Sequence, residues 1–129
     1  MILDTNAVSA LLAGDEALGT LLAAEVRHYL PVVVLGEYRY GLLHSDRRGR
    51  LEPVLEILVR ESVVLPVDES TAETYALVRN ELRRKGRPIP ENDLWIAALA
   101  RQYQQPIVSR DEHFDEVPGL RRLDWSLPS

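Results

Sequence analysis

The chain predicts an α/β protein: a three-layer α/β/α sandwich around a mostly parallel central sheet. Short apolar runs such as "SVVLPV" at 62–67 and "PIVS" at 106–109 lack polar alternation, the pattern of strands buried on both faces. Stretches of helical spacing separate these runs, so successive strands connect through crossovers rather than tight turns. No repeat, low-complexity tract or linker interrupts the 129 residues, and residues 1–129 are expected to form one domain around one core.

"MIL" reads as a buried strand ending at Asp4, and "NAVSALLAGD" as a helix stopped by Gly14. A second helical stretch covers "EALGTLLAAE", 16–25. "YLPVVVLGEYRYGLL", 29–43, begins with strand-like propensity but runs too long for one strand. Leu51, Val54, Leu55 and Leu58 give "RLEPVLEILVRE" a helical face, and "SVVLPV" follows as a strand bounded by Pro66. In "STAETYALVRNELRRKG", Ser70 and Glu73 stand at capping-box spacing, Tyr75, Val78 and Leu82 share a face, and Gly86 ends the helix. "DLWIAALARQY" is the next helix, "PIVS" the next strand and "LRRLDW" the last.

Composition narrows the chemistry. There is no cysteine, which excludes disulfides, thiolate metal sites and thiol nucleophiles, so any metal must sit on oxygen or imidazole. No apolar run approaches the ~20 residues that span a bilayer, and the N-terminus lacks the basic and apolar regions of a signal peptide; a cytoplasmic protein with no membrane partner is expected. The net charge of −5 is poor for a phosphate partner, yet "RNELRRKGR" at 79–87 holds five cations against one Glu, and "RRGR" at 47–50 is a second cluster. Such clusters ordinarily mark solvated helix ends.

The acids are more informative. In open parallel sheets ligands bind at the carboxyl ends of strands, where strand order reverses. Asp4 follows "MIL", Asp111 follows "PIVSR", and Asp93 begins the helix feeding that second strand. Each alone reads as a helix cap. Together at one edge they would repel and raise one another's pKa unless a cation neutralised them. Mg²⁺ or Mn²⁺, which takes oxygen ligands and leaves positions for phosphate oxygens, is the natural partner.

"MILDTN", "GEYRYG", "NDLWIAALA" and "SRDEHF" stand in the order and near the spacing of the PIN-domain ribonucleases, and over essentially its whole length the chain resembles the VapC toxins of type II toxin–antitoxin systems. The resemblance implies a PIN-like fold and an acidic quartet of Asp4, Glu37, Asp93 and Asp111 around a Mg²⁺ ion, with Mn²⁺ as the alternative. Asp4, Asp93 and Asp111 would hold the ion, and Glu37 would orient or deprotonate the attacking water or act as a further ligand. Thr5 and Asn6 resemble the polar pair beside the first acid, and Ser109 the small hydroxyl residue before the last. Asn92 is expected to anchor the acids from behind or to cap its helix. The residues around Glu37 are implied to be helical, and Gly41, one turn on, would keep the approach open.

At one position the sequence departs from the family pattern. Many relatives carry an acid two residues after the last Asp, where His113 stands here, and this residue is expected to face the surface or the substrate rather than an ion. His28 and His44 match nothing in the pattern.

The implied reaction is hydrolysis of an RNA phosphodiester by water, leaving 5′-phosphate and 3′-OH ends. With a phosphate substrate, Arg79, Arg83, Arg84, Lys85 and Arg87 become candidate contacts to the RNA backbone. The resemblance also implies a cognate VapB-type antitoxin that places a basic residue in the acidic pocket, and a homodimer to which Tyr40, Leu42 and Leu43 would contribute. A phosphoacceptor domain fits poorly, since "LDTN" has one acid and no lysine follows "PIVS". A housekeeping PIN nuclease without an antitoxin and a catalytically inactive interaction module of the same fold are the remaining alternatives.

Overall fold

A computed structural model describes residues 1–24 and 27–127. Its elements run β1 (Ile2–Leu3), α1 (Thr5–Leu12), α2 (Glu16–Ala23), β2 (Tyr29–Pro31), α3 (Val32–Leu43), α4 (Arg48–Glu61), β3 (Val63–Leu65), α5 (Glu69–Lys85), α6 (Glu91–Gln102), β4 (Ile107–Val108), a 3₁₀ turn (Glu112–Glu116) and β5 (Arg122–Leu123). The five strands lie in the order β3-β2-β1-β4-β5, and every pairing is parallel. The order reverses at β1, whose neighbours are β2 on one side and β4 on the other. That opens a crevice at the carboxyl ends of β1 and β4. Right-handed crossovers assign α1–α4 to one face of the sheet and α5–α6 to the other.

The core is built from the strands and one sandwiched helix. Ile2, Leu3, Leu30, Ile107 and Val108 are fully buried, as are Ile96, Ala97, Ala98 and Leu99 along consecutive positions of α6. Burial on every side explains why that helix is apolar without a polar face. Its small residues let it pack closely, while its first turn, with Asp93 in it, projects to the crevice.

The long apolar segment divides where the sequence alone left it open. Tyr29–Pro31 is strand β2 and Val32 opens α3, with Pro31 at the cap position, so three successive valines are helical. Val34, Tyr38 and Leu42 from α3 are buried, and packing outweighs the strand propensity of Val. The start of α5 also differs from expectation. Asp68, not Ser70, is its cap: Asp68 Oδ1 accepts from Thr71 N at 3.0 Å, and Thr71 Oγ1 accepts from Asp68 N at 3.1 Å. A carboxylate at that position satisfies the first free N–H groups and favours the positive helix end. Helix α6 begins two residues earlier than predicted, at Glu91 after Pro90. Glu25, the last residue of the predicted stretch 16–25, lies outside the described residues.

Candidate active site

Asp4 sits one residue beyond β1 and caps α1, where its Oδ1 accepts from Thr5 N at 2.8 Å. Its other oxygen accepts from Ser109 Oγ at 2.6 Å and from Asn6 Nδ2 at 3.4 Å. Ser109, fully buried beyond β4, is the hub of the crevice. Its hydroxyl donates to Asp4 and accepts from Asn6 Nδ2 at 3.2 Å and from Asp111 N at 2.9 Å. Asn6 completes the tie by accepting from Arg110 N at 3.2 Å. The polar residues picked from sequence thus fasten the loop after β4 to the loop after β1.

Asp93 and Asp111 face this hub, and between them stands His113. Its Nδ1 lies 3.2 Å from Asp93 Oδ2 and 3.0 Å from Asp111 Oδ1. His113, expected at the surface or substrate side, is half exposed and also lies against both acids. Asp111 caps the 3₁₀ turn by accepting from His113 N at 3.2 Å, which folds residue 113 back over residue 111. The signal was an Asp followed two residues later by a His, a spacing that an Asp-capped turn brings together. One atom each from Asp93, Asp111 and His113 falls within 4.8 Å of the other two. The charge of Asp4 acts on Asp93 within this group and on Glu37 beside it.

Burial sets the electrostatics. It raises the Asp4 carboxyl, against the hydrogen bonds from Ser109 and Thr5 that favour its charge. Burial lifts Asp93 to about 6, opposed by the hydrogen bond from His113 and reinforced by the charges of Asp4 and Asp111. Glu37 is raised by burial and then by Asp4, while Asn92 and Thr5 on its other side favour the charged form. His113 is raised first by its hydrogen bond to Asp93. Asn92 is not the helix cap: it lies in the first turn of α6 behind the Pro90 cap and turns toward Glu37. The Thr5 hydroxyl is buried and faces Glu37, but among the described residues it closes no hydrogen bond of normal geometry.

Three carboxyls raised by burial, a protonatable ring drawn among them and a buried hydroxyl without a hydrogen-bond partner fit a cation at this edge. The oxygen-rich donor set suits a hard divalent ion. Glu37 opens onto a cleft of ≈ 570 Å³ shared with Thr5, Ser9 and Gly41, and a Cβ at Gly41 would meet nothing within 4 Å.

In protein freed of divalent ions the raised acids have a measurable consequence. An acid whose folded-state pKa exceeds its unfolded value contributes stability below the unfolded value and loses it as pH rises through the folded one. Asp93 loses its share near 6, and His113, also raised, loses its share at higher pH. Asp15, Asp68, Asp115 and Asp124 are lowered, so their contribution is complete above the ordinary carboxylate range. The melting temperature with chelator should therefore fall from about pH 4 to about pH 6 as Asp93 ionises, and again above the ordinary histidine range as His113 loses its proton, and a divalent ion should restore it at the upper end. A flat or rising profile would refute this balance.

Two further contacts hold the loops, and sequence reasoning missed both. Arg122 clasps Asp115 through two bonds of 2.8 Å and donates to Ser109 O at 3.2 Å. Arg110 lies 4.6 Å over the Trp125 ring, whose Nε1 donates to Asp15 at 3.2 Å. The first joins residues 7 and 13 apart and the second reaches across 110, and neither leaves a periodic pattern. Of the five candidate RNA-contact cations, Arg79 is engaged with Tyr75 and Glu91, and Lys85 with Glu116. Arg83, Arg84 and Arg87 pair with no acid among the described residues and stay exposed. Leu42 is buried, which removes it from any interface, whereas Tyr40 and Leu43 are exposed.

Known proteins resemble this chain in sequence and fold. The PIN domain family model matches residues 1–120. Ribonuclease VapC5 of Mycobacterium tuberculosis is 34% identical over 126 residues, 95% of this chain and 91% of that protein. The tRNA(fMet)-specific endonuclease VapC of Shigella flexneri is 38% identical over 95 residues, covering 73% and 72% of the two chains. Among solved structures, the DNA-bound VapBC of Salmonella typhimurium superposes with a TM-score of 0.87 at 28% identity, over 96% of each chain. Fold and relatives agree, and the chain belongs to the PIN-domain family as a VapC-type member.

Proposed function

We propose that this protein is a metal-dependent endoribonuclease and the toxin of a type II toxin–antitoxin pair, with residues 1–129 acting as one nuclease domain. The observation that carries the reading is the convergence of Asp4, Asp93 and Asp111, from three separate segments, on the crevice beside the buried Ser109 hub. Relatives named as ribonucleases and found in VapBC complexes support it.

Asp4, Asp93 and Asp111 would hold a divalent ion, Mg²⁺ or Mn²⁺. When bound, the ion supplies charge stabilisation at the phosphate and makes water a competent nucleophile at neutral pH. Ser109, Asn6 and the Thr5 amide fix the Asp4 carboxylate so that its orientation need not be ordered during reaction. Glu37, raised by burial and steered by Asn92, is placed to orient the attacking water or accept its proton. Because water attacks and no ribose hydroxyl is consumed, the products carry 5′-phosphate and 3′-OH.

RNA enters along the exposed cations Arg83, Arg84 and Arg87 at the end of α5, with Arg79 and Lys85 at their sides. Changing Arg83 and Arg84 together to Glu should weaken RNA binding and reduce the slope of log affinity against log salt by about 2. An unchanged slope would return the cluster to a solvated helix end.

The partner is a VapB-type antitoxin, whose cationic segment complements the −5 charge of this chain. A homodimer formed partly through exposed Tyr40 and Leu43 and a cytoplasmic location complete the reading; no described helix is long and apolar enough to cross a membrane. The decisive experiment exposes total cellular RNA to purified protein with Mg²⁺, Mn²⁺ or EDTA and maps the fragment ends. Discrete metal-dependent fragments with 5′-phosphates are expected. Fragments ending in 2′,3′-cyclic phosphate would refute the mechanism, and folded, metal-binding protein that cuts nothing would favour the inactive interaction module.

A further inference from the structure

The acidic edge contains one donor that is not an oxygen. His113 Nδ1 stands 3.2 Å from Asp93 Oδ2 and 3.0 Å from Asp111 Oδ1. Two ligands of one first-row ion sit no more than roughly 4.2 Å apart, twice the usual metal–nitrogen bond, so both separations lie within the span of a shared ion. The ring is also delivered from a fixed base. Asp111 holds the backbone N–H of residue 113, and the next residue, Phe114, is fully buried. Together they anchor both sides of His113, leaving a side chain that is half exposed on the crevice side of the turn.

A histidine drawn in only by surface charge would have no such mounting. Imidazole is a poor ligand for Mg²⁺, which prefers oxygen and retains water, and a good one for first-row transition ions. We propose that His113 is a metal ligand, giving the centre a mixed oxygen and nitrogen donor set that favours first-row transition ions over Mg²⁺. This assignment rests on the divalent-ion reading above and specifies which ion that centre selects.

The test is direct metal binding, independent of cleavage. Mn²⁺ is titrated into the wild type, His113→Ala and His113→Asp, with free ion followed by electron paramagnetic resonance and bound ion examined by its pulsed form for ¹⁴N coupling. Mg²⁺ binding is measured by calorimetry on the same samples. The wild type should show ¹⁴N coupling, and both variants should lose it. His113→Ala should weaken Mn²⁺ binding about tenfold or more while changing Mg²⁺ binding much less. His113→Asp should regain affinity with the nitrogen signal still absent. Mn²⁺ bound by the wild type without ¹⁴N coupling, at an affinity that His113→Ala leaves unchanged, would overturn the assignment and leave the carboxylate centre standing. Folded wild type that binds no Mn²⁺ would remove the assignment and the centre together.

Discussion

Replacing Asp4 by Asn should abolish metal-dependent RNA cleavage while raising the melting temperature of the chelator-treated protein. The loss in rate should be about a thousandfold or more, since a neutral amide removes the anionic ligand, and about 4 kcal/mol of stabilisation at the reacting phosphate corresponds to that factor. The opposite sign on stability follows from burial: Asp4 is 4% exposed and its carboxyl is raised because its charge is poorly solvated. Asn keeps an acceptor for Thr5 N and removes the buried charge; its amide nitrogen cannot accept from Ser109 or Asn6, but burial outweighs the hydrogen bonds to the charged form, so the fold gains what the site gives up. Cleavage assays and thermal melts on one preparation check both halves. A parallel fall in activity and melting temperature would make Asp4 a residue of the fold and remove it from the centre.

Phe114→Ala should be the most destabilising single change near the site, costing about 3–5 kcal/mol out of the roughly 5–15 kcal/mol that such domains possess. Phe114 is the only phenylalanine in the chain, is fully buried, and fixes the 3₁₀ turn against α6. Emptying its position leaves a cavity beneath the segment that carries His113. Urea unfolding should show a lower midpoint at an unchanged slope, and Phe114→Leu should retain much of the difference. A cost under about 1 kcal/mol would show that the turn collapses to fill the space.

What the sequence revealed depended on where the determining contacts lie. Helices α1, α5 and α6 were legible because their apolar spacing and stops, such as Gly14 and Gly86, are local. Asp4, Asp93 and Asp111 were legible as a set because parallel strands expose their carboxyl ends at one edge. The boundary between β2 and α3 was not, because Val32, Val33 and Val34 favour strand locally and are carried into the helix by the burial of Val34, Tyr38 and Leu42. The cap of α5 was displaced by two residues because Ser70 and Glu73 offered the same spacing as Asp68 and Thr71. His113 escaped because its approach to Asp93 depends on the 3₁₀ turn packing against α6, just as the tie of Asp4 to Ser109 depends on β4 lying beside β1, and no local pattern encodes either.

That adjacency has a further consequence for the order of synthesis. Asp4 and Ser109 are 105 residues apart, and β1 finds its neighbour β4 only after the intervening helices exist. Chains are made N-terminus first, so Asp4 leaves the ribosome long before the residues that orient it. The tie that holds the Asp4 carboxylate can therefore close only after residue 109 has been made.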